Sequence, residues 1–593
     1  MIPAKLRSNL QTARIIWRQF VVVAKPYWTS EVKWKAYGLL GALLLLLLAV
    51  NGLNIVINHV AGEFMTALSS KDQPVFYKML SIYFGVFVVG TPIVVFYSWV
   101  GDKLGLHWRT WLTEHITAKY LDNKNYYRLN NDNEIDNPDE RIAQDVRDFT
   151  AGALSLFLNI LSSVITFFSF MYILWSISHQ MVGVVFAYAI AGTIATVWMG
   201  RRLVGLKFDQ LKKEANFRYN LIHVRNNVES IAFHQGEAHE SKRIGARFAE
   251  AVQNYNALIG WQRNVGFLTT GYNYMIVLIP SLMIAPLYFA GKVPFGVQTQ
   301  ADMAFGQILG ALSLVITSFE SITGLVAQVK RLGSFQEALE RNAEDTSSDL
   351  VHSSETGSEL KLQGVTVKTP GRKQTLVEKL SLDASDAKRL LITGPSGTGK
   401  TSLLRTIAGL WNNGSGTVVR PPLSSMAFLP QRPYMVLGSL REQLSYPRFE
   451  SDIDDQKLLD VLKQVNLADL PERVGGLDVE MHWPDVLSLG EQQRLAFARL
   501  LLSKADFAIL DEATSALDIA NEERLYKLLA ERGMNYVSVG HRPSLIQHHE
   551  TMLDLKVDGS WTKHSSESVR ATQTEAISFH PHPTAQVNIQ PNI

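Results

Sequence analysis

The sequence predicts a multidomain chain: an all-α membrane domain of six helices with a helix lying at the membrane surface before it, followed by an α/β domain containing a glycine-rich loop. Three observations predict this. Hydrophobic residues make up 47% of the 593 residues and charged residues only 19%, against a usual charged fraction of about 25%. The long apolar runs all lie before residue 335, and the charge-rich sequence with strand and helix patterns lies after it. Within that second part, Gly394-Pro395-Ser396-Gly397-Thr398-Gly399-Lys400-Thr401 matches the spacing G-x-x-x-x-G-K-[ST].

Six stretches are long enough to cross about 30 Å of hydrocarbon at about 1.5 Å per residue. They run over 36–60, 80–100, 154–177, 181–200, 265–290 and 305–329, and only the last contains an acidic or basic residue, Glu320. A charge midway along a span is costly unless it faces water or a partner. Glu320 therefore either lines a water-filled cavity or, if the helix is shifted, sits near its cytoplasmic mouth. Residues 101–150 carry Lys103, Arg109, Lys119, Lys124, Arg128, Arg141 and Arg147, and residues 201–263 carry eleven Lys or Arg. The alternate connections carry Lys71, Lys78 and Lys292. The excess of positive charge inside puts both long connections and both termini in the cytoplasm, with the helices expected to run on beyond the bilayer. Residues 1–35 form a cytoplasmic and interfacial segment. Arg14-Ile-Ile-Trp-Arg-Gln-Phe reads as an amphipathic helix and Pro26-Tyr27-Trp28 as headgroup-level aromatic anchors. No cleaved signal is expected.

A net charge of +2 and the lack of a basic stripe interleaved with aromatics argue against nucleic acid. With no cysteine, thiol chemistry is excluded. The lipid bilayer and a nucleotide remain as partners.

The membrane domain is expected over 36–335, a polar linker over 336–358, the α/β domain over 359–562 and a disordered tail over 563–593. Two histidines in the tail, His580 and His582, read as solvated. Arg389-Leu-Leu-Ile-Thr is a short strand leading into the glycine-rich loop, and Thr401 to Leu410 reads as the helix after it. In that order the loop's N–H groups and the helix dipole cradle phosphates. Lys400 would neutralise phosphate charge and Thr401 would hold Mg²⁺, with Ser402 close by. Phe507-Ala-Ile-Leu-Asp511-Glu512 is a buried strand ending in two carboxylates. Asp511 is expected to hold Mg²⁺ through water, and Glu512 to orient or deprotonate the attacking water. Ser488-Leu-Gly-Glu491 is a capping box that opens a helix, and the same helix start, with Gly490 allowing close backbone approach, can hold an anion. Gln431 and His541 follow strands and gain weight only from their order in the chain.

These segments resemble the motifs of an ATP-binding cassette transporter. Gly394 to Thr401 matches its Walker A loop, Gln431 its Q-loop, Leu487 to Glu491 its signature, Ile509 to Glu512 the end of Walker B, Ser515 to Asp518 its D-loop and His541 its switch histidine. In the membrane half, Tyr126-Tyr-Arg-Leu, Asn137-Pro-Asp-Glu-Arg-Ile-Ala-Gln-Asp-Val and Glu229-Ser-Ile-Ala-Phe-His-Gln-Gly-Glu resemble the subfamily of peroxisomal fatty acyl-CoA transporters, subfamily D, and its bacterial SbmA/BacA-like relatives. The resemblance implies an exporter-type half-transporter in a bacterial inner membrane that works as a homodimer. Two ATPs would lie between cassettes, each touched by Lys400 of one copy and by Ser488 and Gly490 of the other, and Gln431 would also sense Mg²⁺. Catalysis would rest on Glu512, His541 and Lys400. The cargo would be an amphipathic or hydrophilic solute such as a fatty acyl compound, a peptide or a cobalamin-like molecule. A cassette-gated channel or regulatory ATP-binding protein is the competing reading. The sequence departs from the usual Leu-Ser-Gly-Gly-Gln at Leu489 and Glu491, and it offers Lys368-Thr369-Pro370 where an adenine-stacking Tyr often stands.

Overall fold

The computed structural model describes residues 4–132, 135–314, 318–344, 349–354, 359–369, 374–383, 385–386, 388–447 and 453–570. The chain divides into two compact units, 1–344 and 345–593.

The first unit is helical. Helix α1 (Ala4–Thr29) precedes α2 (Lys33–Ser69), α3 (Gln73–Leu121), α4 (Val146–Ile177), α5 (His179–Asn226), α6 (Glu237–Phe289), α7 (Gly296–Leu312) and α8 (Phe319–Glu344). Among the described residues, five helices, α2 to α6, are long and apolar enough to cross a membrane. Helix α3 has 49 residues and α6 has 53. At 1.5 Å per residue they extend over roughly 74 and 80 Å, more than twice the hydrocarbon thickness. Where a sixth continuous span was expected over 305–329, the structure has α7 and α8 on either side of residues 315–317, which lie outside the described residues. Glu320 falls in the first turn of α8, and its side chain is also outside them.

The aromatic anchor expected at Tyr27 is instead core. Its ring is fully buried, stacks on Trp108 at 5.6 Å and bonds His107 Nδ1 at 2.8 Å. Burial against α3 removes more apolar area from water than a headgroup-level position would. Among the described residues, Trp17, Trp34 and Tyr37 are the exposed aromatics near this end. Between α3 and α4 a π turn, Arg141–Asp145, faces α8. Buried Arg141 donates to the Arg331 carbonyl at 2.6 Å, to Ser334 Oγ at 3.1 Å and to Asp136, while Arg331 Nε lies 2.8 Å from Asp145. Charges this buried persist only when paired, so this pairing fixes the start of α4 against α8.

The segment expected as a linker over 336–358 is helical to Glu344, with Ala338 and Leu339 buried in the helical core. A strand β1 (Asp349–Ser354) follows and pairs with β5 (Gly414–Arg420). The second unit continues with β2 (Lys361–Lys368) and β3 (Thr375–Leu382), giving a four-stranded sheet in the order β1-β5-β2-β3. A six-stranded sheet combines β4 (Arg389–Thr393), β6 (Met426–Leu429), β9 (Phe507–Asp511), β10 (Asn535–Val539), β11 (Thr551–Leu555) and β12 (Trp561–Ser565), with two-residue strands β7 (Gly438–Ser439) and β8 (Glu480–Met481) between β6 and β9 in the chain. Its order is β12-β11-β4-β10-β9-β6, parallel except for β12. The central strands are buried along nearly their whole length, as a sheet covered on both faces requires. Residues 563–570, expected in the tail, belong to the fold: β12 runs to Ser565, and Arg570 donates to the carbonyl of His549 at 3.2 Å. His580 and His582 lie outside the described residues.

Candidate active site

Four sequence motifs separated by up to 147 positions meet because β4, β10, β9 and β6 are neighbours and run the same way. Their registers place Ile392 beside Val539 and Val539 beside Asp511, so the chain leaves each strand at the same edge. Gly394 to Thr401 follows β4, His541 follows β10, Asp511 ends β9 with Glu512 just after it, and Gln431 follows β6. Such an edge, at the carboxyl ends of parallel strands, is where open α/β sheets bind ligands.

The glycine-rich loop leads into α9 (Lys400–Ile407), whose first residue is preceded by Gly399 at φ 91. A Cβ there would lie 2.8 Å from Leu376, so both backbone angle and space call for glycine. Pro395, Ser396 and Gly397 are exposed at the mouth, whereas Thr398 and Lys400 are buried, and Ser402 lies within the first turn of α9. The Lys400 ammonium donates to the carbonyls of Gly394 and Pro395 at 2.7 and 2.8 Å. Burial lowers its pKa, against the opposing pull of Glu512, Asp511 and Asp554. Thr401 Oγ1 donates to Asp511 Oδ1 at 3.3 Å, and burial raises the Asp511 pKa. A hydroxyl beside a carboxylate is an oxygen donor pair suited to Mg²⁺, which takes one or two protein ligands and completes its shell from phosphate and water.

Glu512 sits at φ 49, in the left-handed region, and its N–H donates to the Val539 carbonyl at 3.0 Å. A glutamate held there costs about 1–3 kcal/mol and points to a functional constraint. The conformation brings its carboxylate to Gln431 Nε2, which donates at 2.8 Å, and to His541 Nε2 at 3.6 Å. Gln431 and His541 are both exposed, so the group opens to solvent.

The expected capping box is present. Ser488 caps α10 (Leu489–Leu502): its Oγ accepts the Glu491 N–H at 3.3 Å, and Glu491 Oε2 accepts the Ser488 N–H at 2.9 Å. Gly490 packs on the segment before Asp518, since a Cβ there would lie 3.0 Å from the Ala516 carbonyl. Asp518 caps α11 (Ile519–Glu531) by accepting the Asn521 N–H at 2.7 Å. Thr369 bonds to Gln374, and residues 370–373, where an adenine contact could be sought, lie outside the described residues.

Two participants were not singled out from the sequence. Fully buried Gln493 donates to the Gln431 carbonyl at 3.0 Å and to Ser515 Oγ at 3.2 Å, and accepts the Ala516 N–H at 3.0 Å. It ties α10 to the segments carrying Gln431 and Asp518. Arg473 donates to Glu491 Oε1 at 2.6 Å. The polar Gln493 on the otherwise apolar face of α10 was the available signal; nothing local pairs Arg473 with Glu491.

With this geometry in hand, comparison with known proteins is decisive. Residues 24–289 match the family "ABC transporter transmembrane region 2" and residues 377–515 match "ABC transporter". The chloroplastic ABC transporter D family member 2 of Arabidopsis thaliana is 39% identical over 615 residues, covering 92% of this chain and 87% of the relative. This chain belongs to the ABC transporter family. The transporter is also 30% identical to the lysosomal cobalamin transporter ABCD4 of Mus musculus over 598 residues, covering 94% of this chain and 97% of that protein. Its fold is similar to a solved structure of a bacterial Atm1-family ABC exporter with ATP bound, at TM-score 0.67 and 17% identity, over 94% of this chain and all of that one. It is therefore an integral membrane ABC transporter of exporter-type fold that binds ATP and couples its hydrolysis to transport, with relatives in the D family.

Proposed function

We propose that two copies of this half-transporter work together in a bacterial inner membrane, cassettes on the cytoplasmic side, moving an amphipathic or hydrophilic organic solute such as a fatty acyl compound, a peptide or a cobalamin-like molecule. The observation that carries this reading is the gathering of Lys400, Asp511, Glu512, Gln431 and His541 at one sheet edge. Ser488, whose side chain bonds only to Glu491 among the described residues, is left exposed for a nucleotide held by a second copy. The triphosphate lies along the N–H groups of residues 394–401. Lys400 turns from its two carbonyls to the outer phosphates. Thr401 and Asp511 would hold Mg²⁺, with Gln431 as a further ligand; when bound, the ion would supply charge neutralisation at the phosphate oxygens. Glu512 accepts a proton from the attacking water, and His541 donates to the terminal phosphate. Ser488 and Gly490 of the second copy meet the same phosphate at the start of α10, where helix N–H groups favour an anion.

The test is ATP hydrolysis by purified protein in proteoliposomes, with acyl-CoAs, peptides and cobalamin added to each side in turn. Stimulation by one class identifies the cargo, and the stimulating side gives the direction. Failure of vanadate to trap a closed pair of cassettes, or a strictly monomeric active protein, overturns the dimeric reading.

A further inference from the structure

In the usual signature the residue at position 491 is a neutral glutamine; here it is a carboxylate, one turn into a helix whose N-terminus is read above as the phosphate-facing end. An anion there opposes both the helix dipole's benefit to phosphate and the approach of the terminal phosphate itself. The structure supplies a compensating cation from elsewhere in the chain. Arg473, on the short helix Leu470–Val474, donates to Glu491 Oε1 at 2.6 Å and lies 3.7 Å from Asp469. The other oxygen, Oε2, accepts the Ser488 N–H at 2.9 Å and the Ser488 hydroxyl at 3.0 Å. The hydroxyl proton that a phosphate would take is thus directed at Glu491, and the orientation of that carboxylate is set by the guanidinium. Although burial raises the Glu491 pKa, Arg473 and the Ser488 N–H more than offset it and the carboxyl ionises more readily than usual.

Resting on the two-copy reading above, we propose that Arg473 is a positioning residue for ATP turnover: it neutralises Glu491 and draws the carboxylate's charge toward Oε1, weakening the hold of Oε2 on the Ser488 hydroxyl so that this hydroxyl can turn and donate a hydrogen bond to the terminal phosphate of the nucleotide on the facing copy. Arg473 does not touch the nucleotide. Its guanidinium makes an acidic signature compatible with a polyanionic substrate, and a chain with Gln at this position does not need it.

The experiment is a four-way comparison of full-length protein in proteoliposomes: wild type, Arg473→Ala, Glu491→Gln and the double substitution, with Arg473→Lys as the conservative variant. ATP dependence of turnover is measured for each. Arg473→Ala is expected to raise the ATP KM about 10-fold, within the usual coupling range of contacting residues, and Arg473→Lys to keep most of the wild-type value. In the Glu491→Gln background, Arg473→Ala is expected to change KM by less than about twofold, because no charge is left to neutralise. An equal rise in both backgrounds overturns the proposal, since Arg473 would then act through packing alone. Wild-type protein without ATP turnover overturns the functional reading itself, an outcome separable from the first.

Discussion

Gln431 Nε2 donates to Glu512 Oε2 at 2.8 Å across 81 positions of sequence. The bond joins a residue two positions past β6 to the residue that follows β9, and these strands pair directly. Gln493, buried beneath them, fixes the Gln431 backbone through its carbonyl. The Glu512 carboxylate is thereby held by a side chain whose own position depends on α10 and the segment before Asp518.

Glu512→Gln should bind ATP as the parent does but lower turnover by about 10²-fold or more, the range for loss of one positioned proton acceptor. Nucleotide binding and phosphate release measured on the same preparation separate the two effects. An unchanged rate would remove Glu512 from its role.

Gln493→Ala removes three bonds at a site with no exposure. The Ala516 N–H and the Gln431 carbonyl lose their partner and a cavity opens, so the cassette should lose about 2–4 kcal/mol. Turnover should fall even below the unfolding temperature, because the Gln431 and Ala516 segments are no longer tied. Thermal unfolding and ATPase assays of the same variant check both.

Gly490→Val places a side chain where even a Cβ lies 3.0 Å from the Ala516 carbonyl. The start of α10 must shift, and a shift near 1 Å costs about 10²-fold in a positioned reaction. ATP photolabelling should persist, since the glycine-rich loop is untouched, while vanadate trapping should be lost. Trapping at parental levels would contradict this.

His549 is almost fully buried against Tyr526 and Tyr536, with Nδ1 2.6 Å from the Leu545 carbonyl. Burial pushes its pKa down to about 3. The folded state therefore keeps it neutral, whereas the unfolded chain takes up a proton below about pH 6.5. Its contribution is complete above that pH and is lost as pH falls toward 3, amounting to about 2 kcal/mol by pH 5. The slope of cassette stability between pH 7 and 5 should flatten in His549→Leu, as read by thermal unfolding at each pH.

The local patterns carried most of the fold. The P-loop spacing, the capping box at Ser488 and Glu491 and the strand ending in Asp511 and Glu512 are short-range features, each written in fewer than ten consecutive residues, so hydropathy and spacing reveal them. Tyr27 was misplaced because an amphipathic aromatic satisfies a headgroup region and a buried cluster equally well until Trp108 and His107 are known to lie beside it. The linker was read too long because polar residues at 342–358 hid a strand that exists only through pairing with β5.

By itself the sequence determined that this protein has a membrane half and an ATP-binding half, and which motifs the second half carries. Tertiary structure alone decided that Arg473 meets Glu491, that Gln493 ties α10 to two distant segments and that Arg141 and Arg331 join the start of α4 to α8. The reason is physical: dipoles, caps and strand patterns act over a few residues, whereas an ion pair between distant positions depends on how packed elements bring the chain back on itself.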